Sequence, residues 1–164
     1  MLLESADGVR WWRSLLSNNH HALAALFSYR SSGDGIIGIC VKAEAYELLV
    51  SVIRAGAHPN EFQDYGMSAL SLAAHLNDNS AVVILLRHGA CPDGLPDEEH
   101  CPLFYAVDSN NLAVAMSLLS CGSDPMYRPA NEGKYCIDVA KSQEMFSMIT
   151  LYSKNVKRHP STDK

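Results

Sequence analysis

The strongest constraint on the fold of this chain is a repeat with a period of 33 residues. The interval recurs among glycines, small residues, single aliphatic residues and aliphatic pairs along the middle of the chain. The members are Gly56, Gly89 and Gly122; Cys40, Ala73 and Ala106; Ile37, Leu70 and Leu103; and Val52-Ile53, Leu85-Leu86 and Leu118-Leu119. Self-similarity at one fixed period indicates an array of supersecondary units, each of which buries its apolar face against its neighbours.

The clearest unit spans residues 64–89, and it predicts two helices joined by a tight turn. Ser68 stands where a hydroxyl can cap the first helix, and small residues such as Ala73 allow neighbouring first helices to approach closely. Asn77 falls between the two helices, as Asn110 does one unit later, and asparagine accepts a left-handed backbone better than most residues. Each unit then ends at a glycine of the period, which can supply the left-handed residue that terminates a helix.

The pattern Gly-x-Ser-Ala-Leu-x-Leu-Ala-Ala at residues 66–74, followed by an apolar helix and Gly-Ala, resembles the ankyrin repeat. Cys101-Pro102-Leu103 stands where that family has Thr-Pro-Leu, and residues 133–140 are similar to its Gly-Lys-Thr-Pro-Leu-Asp-Leu-Ala. The resemblance covers roughly residues 15–151. It implies an all-α ankyrin-repeat solenoid of stacked antiparallel helix pairs with projecting β-hairpin loops.

The repeat predicts a single domain over residues 1–153, followed by a basic, flexible tail over residues 154–164. Its units are expected at about residues 9–30, 31–62, 63–95, 96–128 and 129–153. The first and last are degenerate, as terminal units of a stack are, because one of their faces meets water. The last helix is predicted to run from about Gln143 to Tyr152.

Composition narrows the location and the kinds of partner. The five cysteines are odd in number and scattered, which favours reduced thiols in a cytoplasmic protein, with a nuclear or cytoskeletal location as alternatives. The longest apolar run is far too short to span a bilayer, and no secretory signal is visible. A net charge of -5 argues against generic nucleic-acid binding. The expected partner is therefore another protein, and not nucleic acid, a membrane or a small-molecule substrate.

No catalytic pattern stands out, so we expect a protein without enzymatic activity or cofactor. The chain has no glycine-rich phosphate loop, nucleophile elbow or His-Glu-x-x-His pattern. Residues 97–101, Asp-Glu-Glu-His-Cys, resemble a metal site together with His88 and Cys91. However, His100 and Cys101 are adjacent in sequence, and the usual spacing of zinc ligands is missing on that side. An exposed loop is the favoured interpretation.

The resemblance to ankyrin repeats implies a concave binding surface made of loop tips and the exposed ends of the first helices. In this chain the implied partner-binding residues are Asp64, Tyr65, Met67, His75, Leu76, Asp97, Glu98, His100, Asp108, Met126, Tyr127 and Arg128. The carboxylates among them predict an acidic groove and a partner segment that is basic or contains arginine. A blander interpretation is that these acids only solvate an exposed loop.

Two functions remain open on this basis. One is an adaptor that holds a partner protein in the concave face, either alone or as part of a larger complex. The other is an obligate structural subunit of a larger assembly, for example a cytoskeletal one, docked through its terminal units and tail. A tryptophan expected to be exposed near the N-terminus and basic residues near the C-terminus favour the second.

Overall fold

The structure is a computed structural model that describes residues 35–60, 66–127 and 135–156. Within these ranges the chain forms seven α-helices and one 3₁₀ helix. They are α1 (Ile36–Lys42), α2 (Tyr46–Arg54), α3 (Ala69–His75), α4 (Asn79–Arg87), α5 (Pro102–Asp108), α6 (Leu112–Ser120), the 3₁₀ helix (Cys136–Val139) and α7 (Gln143–Val156). The predicted unit at residues 9–30 and residues 157–164 of the predicted tail lie outside the described residues.

The helices form two rows that follow the 33-residue period. The inner row consists of α1, α3, α5 and the 3₁₀ helix, each packed on the next, and the outer row contains α2, α4 and α6. Ala73 and Ala106 are fully buried where the inner helices meet, while Leu85 and Leu118 are fully buried in the outer row. The predicted solenoid of helix pairs is confirmed, because apolar side chains one period apart fill one continuous core.

The residues that predict helix ends in the sequence do form helix ends in the structure. The Ser68 hydroxyl accepts a hydrogen bond from the backbone N–H of Ser71 at 3.1 Å and so caps α3. Asn77 and Asn110 have φ of 60° and 54°, and Glu44 takes the same conformation at φ 52° one period before Asn77. The glycines that end α2, α4 and α6 also have positive φ, at 107°, 88° and 94°.

Two side chains one period apart connect consecutive loops, and we call this pair the loop ladder. Asn60 Oδ1 accepts a hydrogen bond from the N–H of Cys91 at 2.7 Å, and its Nδ2 donates at 3.0 Å to the carbonyl of the glycine that ends α4. Asp93 Oδ1 accepts from the N–H of Asp124 at 2.7 Å and from the hydroxyl of Ser123 at 3.0 Å. The loop ladder therefore satisfies backbone donors between successive units.

The loop over residues 90–101, which leads from α4 to α5, consists of turns and contains no strand residue. The N–H groups of Gly94 and Glu98 each donate to the carbonyl three residues earlier, at 3.0 and 3.2 Å. Pro92 and Pro96 have no N–H to contribute to a paired strand. Tight turns therefore shape the projecting loop that carries several of the predicted site residues.

The last unit differs from the others at both of its helices. Its inner element is only a four-residue 3₁₀ helix, because Ala140 turns to an extended conformation at φ -64° and ψ 117°. The Ser142 hydroxyl accepts from the N–H of Met145 at 3.2 Å, so α7 begins immediately afterwards. The predicted helix end at Tyr152 is wrong, since α7 continues to Val156 and includes Lys154, whose charge favours a helix C-terminus. Residues 154–156 of the predicted tail are therefore helical.

Candidate functional site

Four rings lie side by side along the inner row, where α3 meets α5. The ring of His100 stacks on Phe104 with centroids 4.0 Å apart and an interplanar angle of 21°. Tyr105 stands edge-on to His100 at 5.8 Å and to His75 at 5.3 Å. We call these four residues the ring cluster. His75 is exposed and the other three are half-buried, so the cluster offers an aromatic surface that spans two units.

The period explains why the rings meet at this place. Phe104 and Tyr105 lie one period after Ser71 and Leu72, which are buried in α3. The Phe104 and Tyr105 side chains of α5 are larger than these, and Tyr105 reaches the ring of His75 in the neighbouring unit. Burial raises the pKa of Tyr105, and the charges of the acidic loop raise it further, so its hydroxyl remains a hydrogen-bond donor at neutral pH.

Sequence reasoning selected His75 and His100 but missed Phe104 and Tyr105. The sequence did contain a signal for these two residues. They are aromatic residues in an inner helix, at positions where the preceding unit has Ser71 and a leucine. Sequence comparison between units would have detected them, because α1 and α3 have small or aliphatic side chains at the equivalent positions: Gly38, Ile39, Ser71 and Leu72.

Glu98 is placed differently from the exposed loop tip that the sequence predicts. Its side chain is only 1% exposed, and Oε1 accepts a hydrogen bond from the N–H of Leu95 at 2.6 Å. Among the described residues, Oε2 has no hydrogen-bond partner. The carboxylate is tucked against Gly94, where an added Cβ would lie 2.8 Å from Oε1. The prediction that Glu98 is an accessible acid is therefore wrong. Its buried carboxylate instead binds the backbone of its own loop.

Two other acids of this loop face solvent, and one of them lies against the ring cluster. Asp97 and Glu99 are exposed, and Glu99 Oε1 lies 3.8 Å from His100 Nε2, which makes an ion pair when the imidazole is protonated. Glu99 is therefore the solvent-facing acid that lies against the rings, and the buried Glu98 adds negative charge near Tyr105.

The C-terminal ends of the inner elements form an exposed row with the same period, which we call the helix-end row: Lys42, His75, Asp108 and Lys141. The Lys141 ammonium lies 3.1 Å from Asp108 Oδ1 and also donates to the Asp108 carbonyl. Asp108 is thus paired with a cation, and the prediction of an acidic groove is wrong along this edge. The charge of the helix-end row is mixed.

The remaining predicted residues occupy varied positions. Leu76 and Met126 are exposed, at 48% and 44%. Met67 and Tyr127 are half-buried, and Tyr127 packs against the core, where burial raises the pKa of its hydroxyl. Asp64, Tyr65 and Arg128 lie outside the described residues. Of the predicted residues, His75 and His100 therefore lie close together, because both rings contact Tyr105. Glu98 is buried and does not reach the surface.

The described part of the chain shows no cluster of three or more His, Cys, Asp and Glu side chains that could hold a metal ion. His88, one member of the set considered above, turns back on its own helix, with Nδ1 2.8 Å from the Ile84 carbonyl. None of the helices in the described ranges has both the length and the apolar character required to cross a bilayer.

Comparison with known families agrees with this architecture. Residues 37–128 match the family model for ankyrin repeats in three copies. The chain belongs to the ankyrin repeat family. Ankyrin repeats are generally protein–protein interaction modules, and members of the family are typically non-enzymatic. No curated protein matches this ankyrin repeat chain.

Two solved structures illustrate the shared fold. The human ASB11 ankyrin repeat domain is 22% identical with a TM-score of 0.61, and the match covers 71% of this chain and 52% of that one. The ankyrin repeat domain of Bcl-3, described as a unique member of the IkappaB protein family, is 22% identical with a TM-score of 0.66 over 72% of this chain and 52% of that one. This ankyrin repeat chain therefore spans about half the length of either domain, and the likeness concerns the fold.

Proposed function

We propose that this ankyrin repeat protein is an adaptor that binds another protein through its inner face, and that the bound segment contains arginine. The observation that carries the proposal is the ring cluster, a half-exposed aromatic surface with the exposed carboxylate of Glu99 at its margin and the exposed Asp97 two residues earlier in the same loop. Aromatic residues concentrate binding energy at protein interfaces, particularly where a rim of polar groups surrounds them.

Arginine suits this surface better than lysine does. A planar guanidinium can stack on an exposed ring and at the same time donate two parallel hydrogen bonds to a carboxylate. Tyr105 offers an edge and a hydroxyl, Phe104 and His100 form one stack, and Glu99 lies at the margin of that stack. A lysine ammonium would gain the charge attraction but not the planar stacking.

The two edges of the inner face differ in charge, which supports a defined orientation of the partner segment. The loop edge carries the exposed Asp97 and Glu99, whereas along the helix-end row the charge of Asp108 is offset by Lys141. Arginine is therefore expected next to the loop edge rather than next to the helix-end row.

Selection of random peptides tests this proposal and requires no identified partner. Displayed randomised 12-residue peptides are selected on the wild-type protein, and the recovered sequences are scored for arginine against lysine. The binders are then measured on Asp97→Asn/Glu99→Gln and on Glu47→Gln/Glu144→Gln. The second variant is a matched control, because Glu47 and Glu144 are exposed carboxylates on the outer helices α2 and α7.

We expect enrichment of arginine and about a tenfold loss of affinity on the loop-edge variant, which corresponds to about 1.4 kcal/mol. The control variant should bind as the wild type does. Recovered peptides that lack arginine, or equal binding to both variants, would contradict the proposal.

A second candidate is the structural subunit docked through its C-terminal unit. It is supported by α7, where Phe146 and Leu151 are exposed while Met145 and Ile149 are buried on the opposite side. Capture of partners from native lysate with Phe146→Ser/Leu151→Ser separates the two functions. Loss of the main partner with this variant, and not with Asp97→Asn/Glu99→Gln, would favour the structural subunit.

A further inference from the structure

Two buried thiols face each other at the junction between the last two units. Cys101 is the residue that precedes α5, and Cys136 is the first residue of the 3₁₀ helix. Their exposures are 2% and 1%, and their sulfur atoms are 3.7 Å apart. This is van der Waals contact between two sulfur atoms, on elements that pack directly against each other.

The environment of Cys101 differs from that of the other buried thiol, Cys40. Burial alone raises the pKa of Cys40 to about 12, as expected for an inert structural thiol. The pKa of Cys101 is lowered, because the Cys136 thiol donates a hydrogen bond to the Cys101 sulfur and outweighs the effect of burial. The pKa of Cys136 is raised for the same reason. In the packed stack, the contact between the two sulfur atoms therefore favours a thiolate at Cys101 over one at Cys136.

We propose that Cys101 and Cys136 form an intrachain disulfide when the protein meets a peroxide. The Cys101 thiolate attacks one oxygen of hydrogen peroxide, the O–O bond breaks, and a sulfenic acid and hydroxide result. The Cys136 thiol then attacks the sulfur of the sulfenic acid, the S–O bond breaks, and water leaves as the S–S bond forms. Overall, two thiols lose two protons and two electrons, and one peroxide becomes two waters.

The sulfur atoms must approach from 3.7 Å to the bonded distance of about 2.05 Å. We expect side-chain rotation and a small shift of the 3₁₀ helix, which is four residues long, to cover this difference. Both thiols are closed to solvent in the packed stack, so the reaction proceeds during local opening of the last unit. The bond would tie α5 to the 3₁₀ helix and close a covalent ring that contains α6 and Tyr127.

Mass spectrometry of the full chain tests the proposal in a Cys91→Ser/Cys121→Ser background, which removes the two exposed thiols. After treatment with hydrogen peroxide, we expect an intact mass lower by two hydrogens. Trypsin should release peptides 88–134 and 135–141 joined together, and dithiothreitol should separate them. The oxidised protein should also melt several degrees above the reduced protein, because a cross-link restricts the unfolded chain.

Two further substitutions in the same background serve as controls. Cys40→Ser should still form the cross-link, whereas Cys136→Ser should lose it and accumulate sulfinic acid at Cys101. Far-UV circular dichroism checks that each variant is folded, and Cys136→Ala replaces Cys136→Ser if the hydroxyl unfolds the last unit. Oxidation of Cys101 beyond sulfenic acid while Cys136 is present, a cross-link that involves Cys40, or no reaction at all would overturn the proposal.

Discussion

The loop ladder leads to a prediction in which a charged side chain is replaced by its neutral isostere. Asp93 holds the same place as Asn60, one period later, but its carboxylate cannot make the donor bond that Asn60 Nδ2 makes to the carbonyl of Gly89. Gly122 holds the equivalent position one period after Gly89. We expect Asp93→Asn to stabilise the fold, because the amide keeps the acceptor for the Asp124 N–H and adds a donor to Gly122.

The magnitude follows from two contributions of the same sign. One added hydrogen bond contributes about 0.5–1.5 kcal/mol to the free energy of unfolding. Burial raises the pKa of Asp93 even though it accepts two hydrogen bonds, so the folded state on balance disfavours its charge, and a neutral amide removes that cost. Together we expect about 1–2 kcal/mol at pH 7, or an increase in Tm of roughly 2–8 °C for a chain of this size.

The pH dependence has a definite sign. The folded state binds the Asp93 proton more tightly than the unfolded state does, so wild-type stability falls as pH rises through the interval between the two pKa values. The amide of the Asp93→Asn variant does not titrate, so this pH dependence is absent from the variant. Its advantage over the wild type should therefore grow with pH across that interval and stay constant above it.

Urea unfolding followed by circular dichroism, at several pH values, measures these differences, provided that the slope with denaturant is unchanged. The reciprocal substitution Asn60→Asp is the matched control, and it should lower stability by about 1–2 kcal/mol at pH 7 because it loses the donor and introduces a charge. Asp93→Ala should cost about 1–3 kcal/mol, since it leaves the N–H of Asp124 and the hydroxyl of Ser123 unpaired. A clearly destabilised Asp93→Asn would refute the reasoning.

Three other substitutions probe the fold by the same measurement. Leu85→Ala empties a fully buried site and should cost about 2–5 kcal/mol, whereas the exposed Leu151→Ala should change stability by less than about 0.5 kcal/mol; similar effects would contradict the assigned burial. Ser68→Ala removes the cap of α3 and should cost about 1 kcal/mol, and no loss would show that the hydroxyl does not cap the helix. Gly94 and Gly122 both have a positive φ, which any other residue adopts only with strain. A Cβ added at Gly94 would also lie 2.8 Å from Glu98 and from Pro102, whereas a Cβ at Gly122 would meet open space. Gly94→Ala should therefore lower the free energy of unfolding more than Gly122→Ala does.

Sequence reasoning succeeded where one residue type decides the local conformation. The cap at Ser68 and the left-handed backbone of Asn77 and Asn110 depend on chemistry within a few residues, so the letters alone predict them. The period then predicts which side chains share the core, because every unit repeats the same packing.

It failed where the path of a loop or the reach of a neighbouring unit decides the outcome. Glu98 is buried against Gly94, at a place where any larger residue would collide with its carboxylate. The adjacent Asp97, in contrast, is exposed. Asp108 is paired with Lys141, which lies 33 residues later; the interval is visible in the sequence, but the contact between the two side chains is visible only in the stacked units. The sequence therefore identified exposed positions such as His75 and Asp97, whereas the burial of Glu98 and the pairing of Asp108 required the structure.

The loop ladder also has a consequence for how such a chain can lengthen. Asn60 and Asp93 each accept a hydrogen bond from the N–H group 31 residues further along, and no link in the ladder reaches beyond the next unit. Duplication of a 33-residue stretch that contains Asn60 or Asp93 would therefore recreate both the donor and the acceptor at the new junction. A recombination event that kept the period would need no second mutation to remain folded, whereas an insertion of any other length would have to be absorbed within a loop.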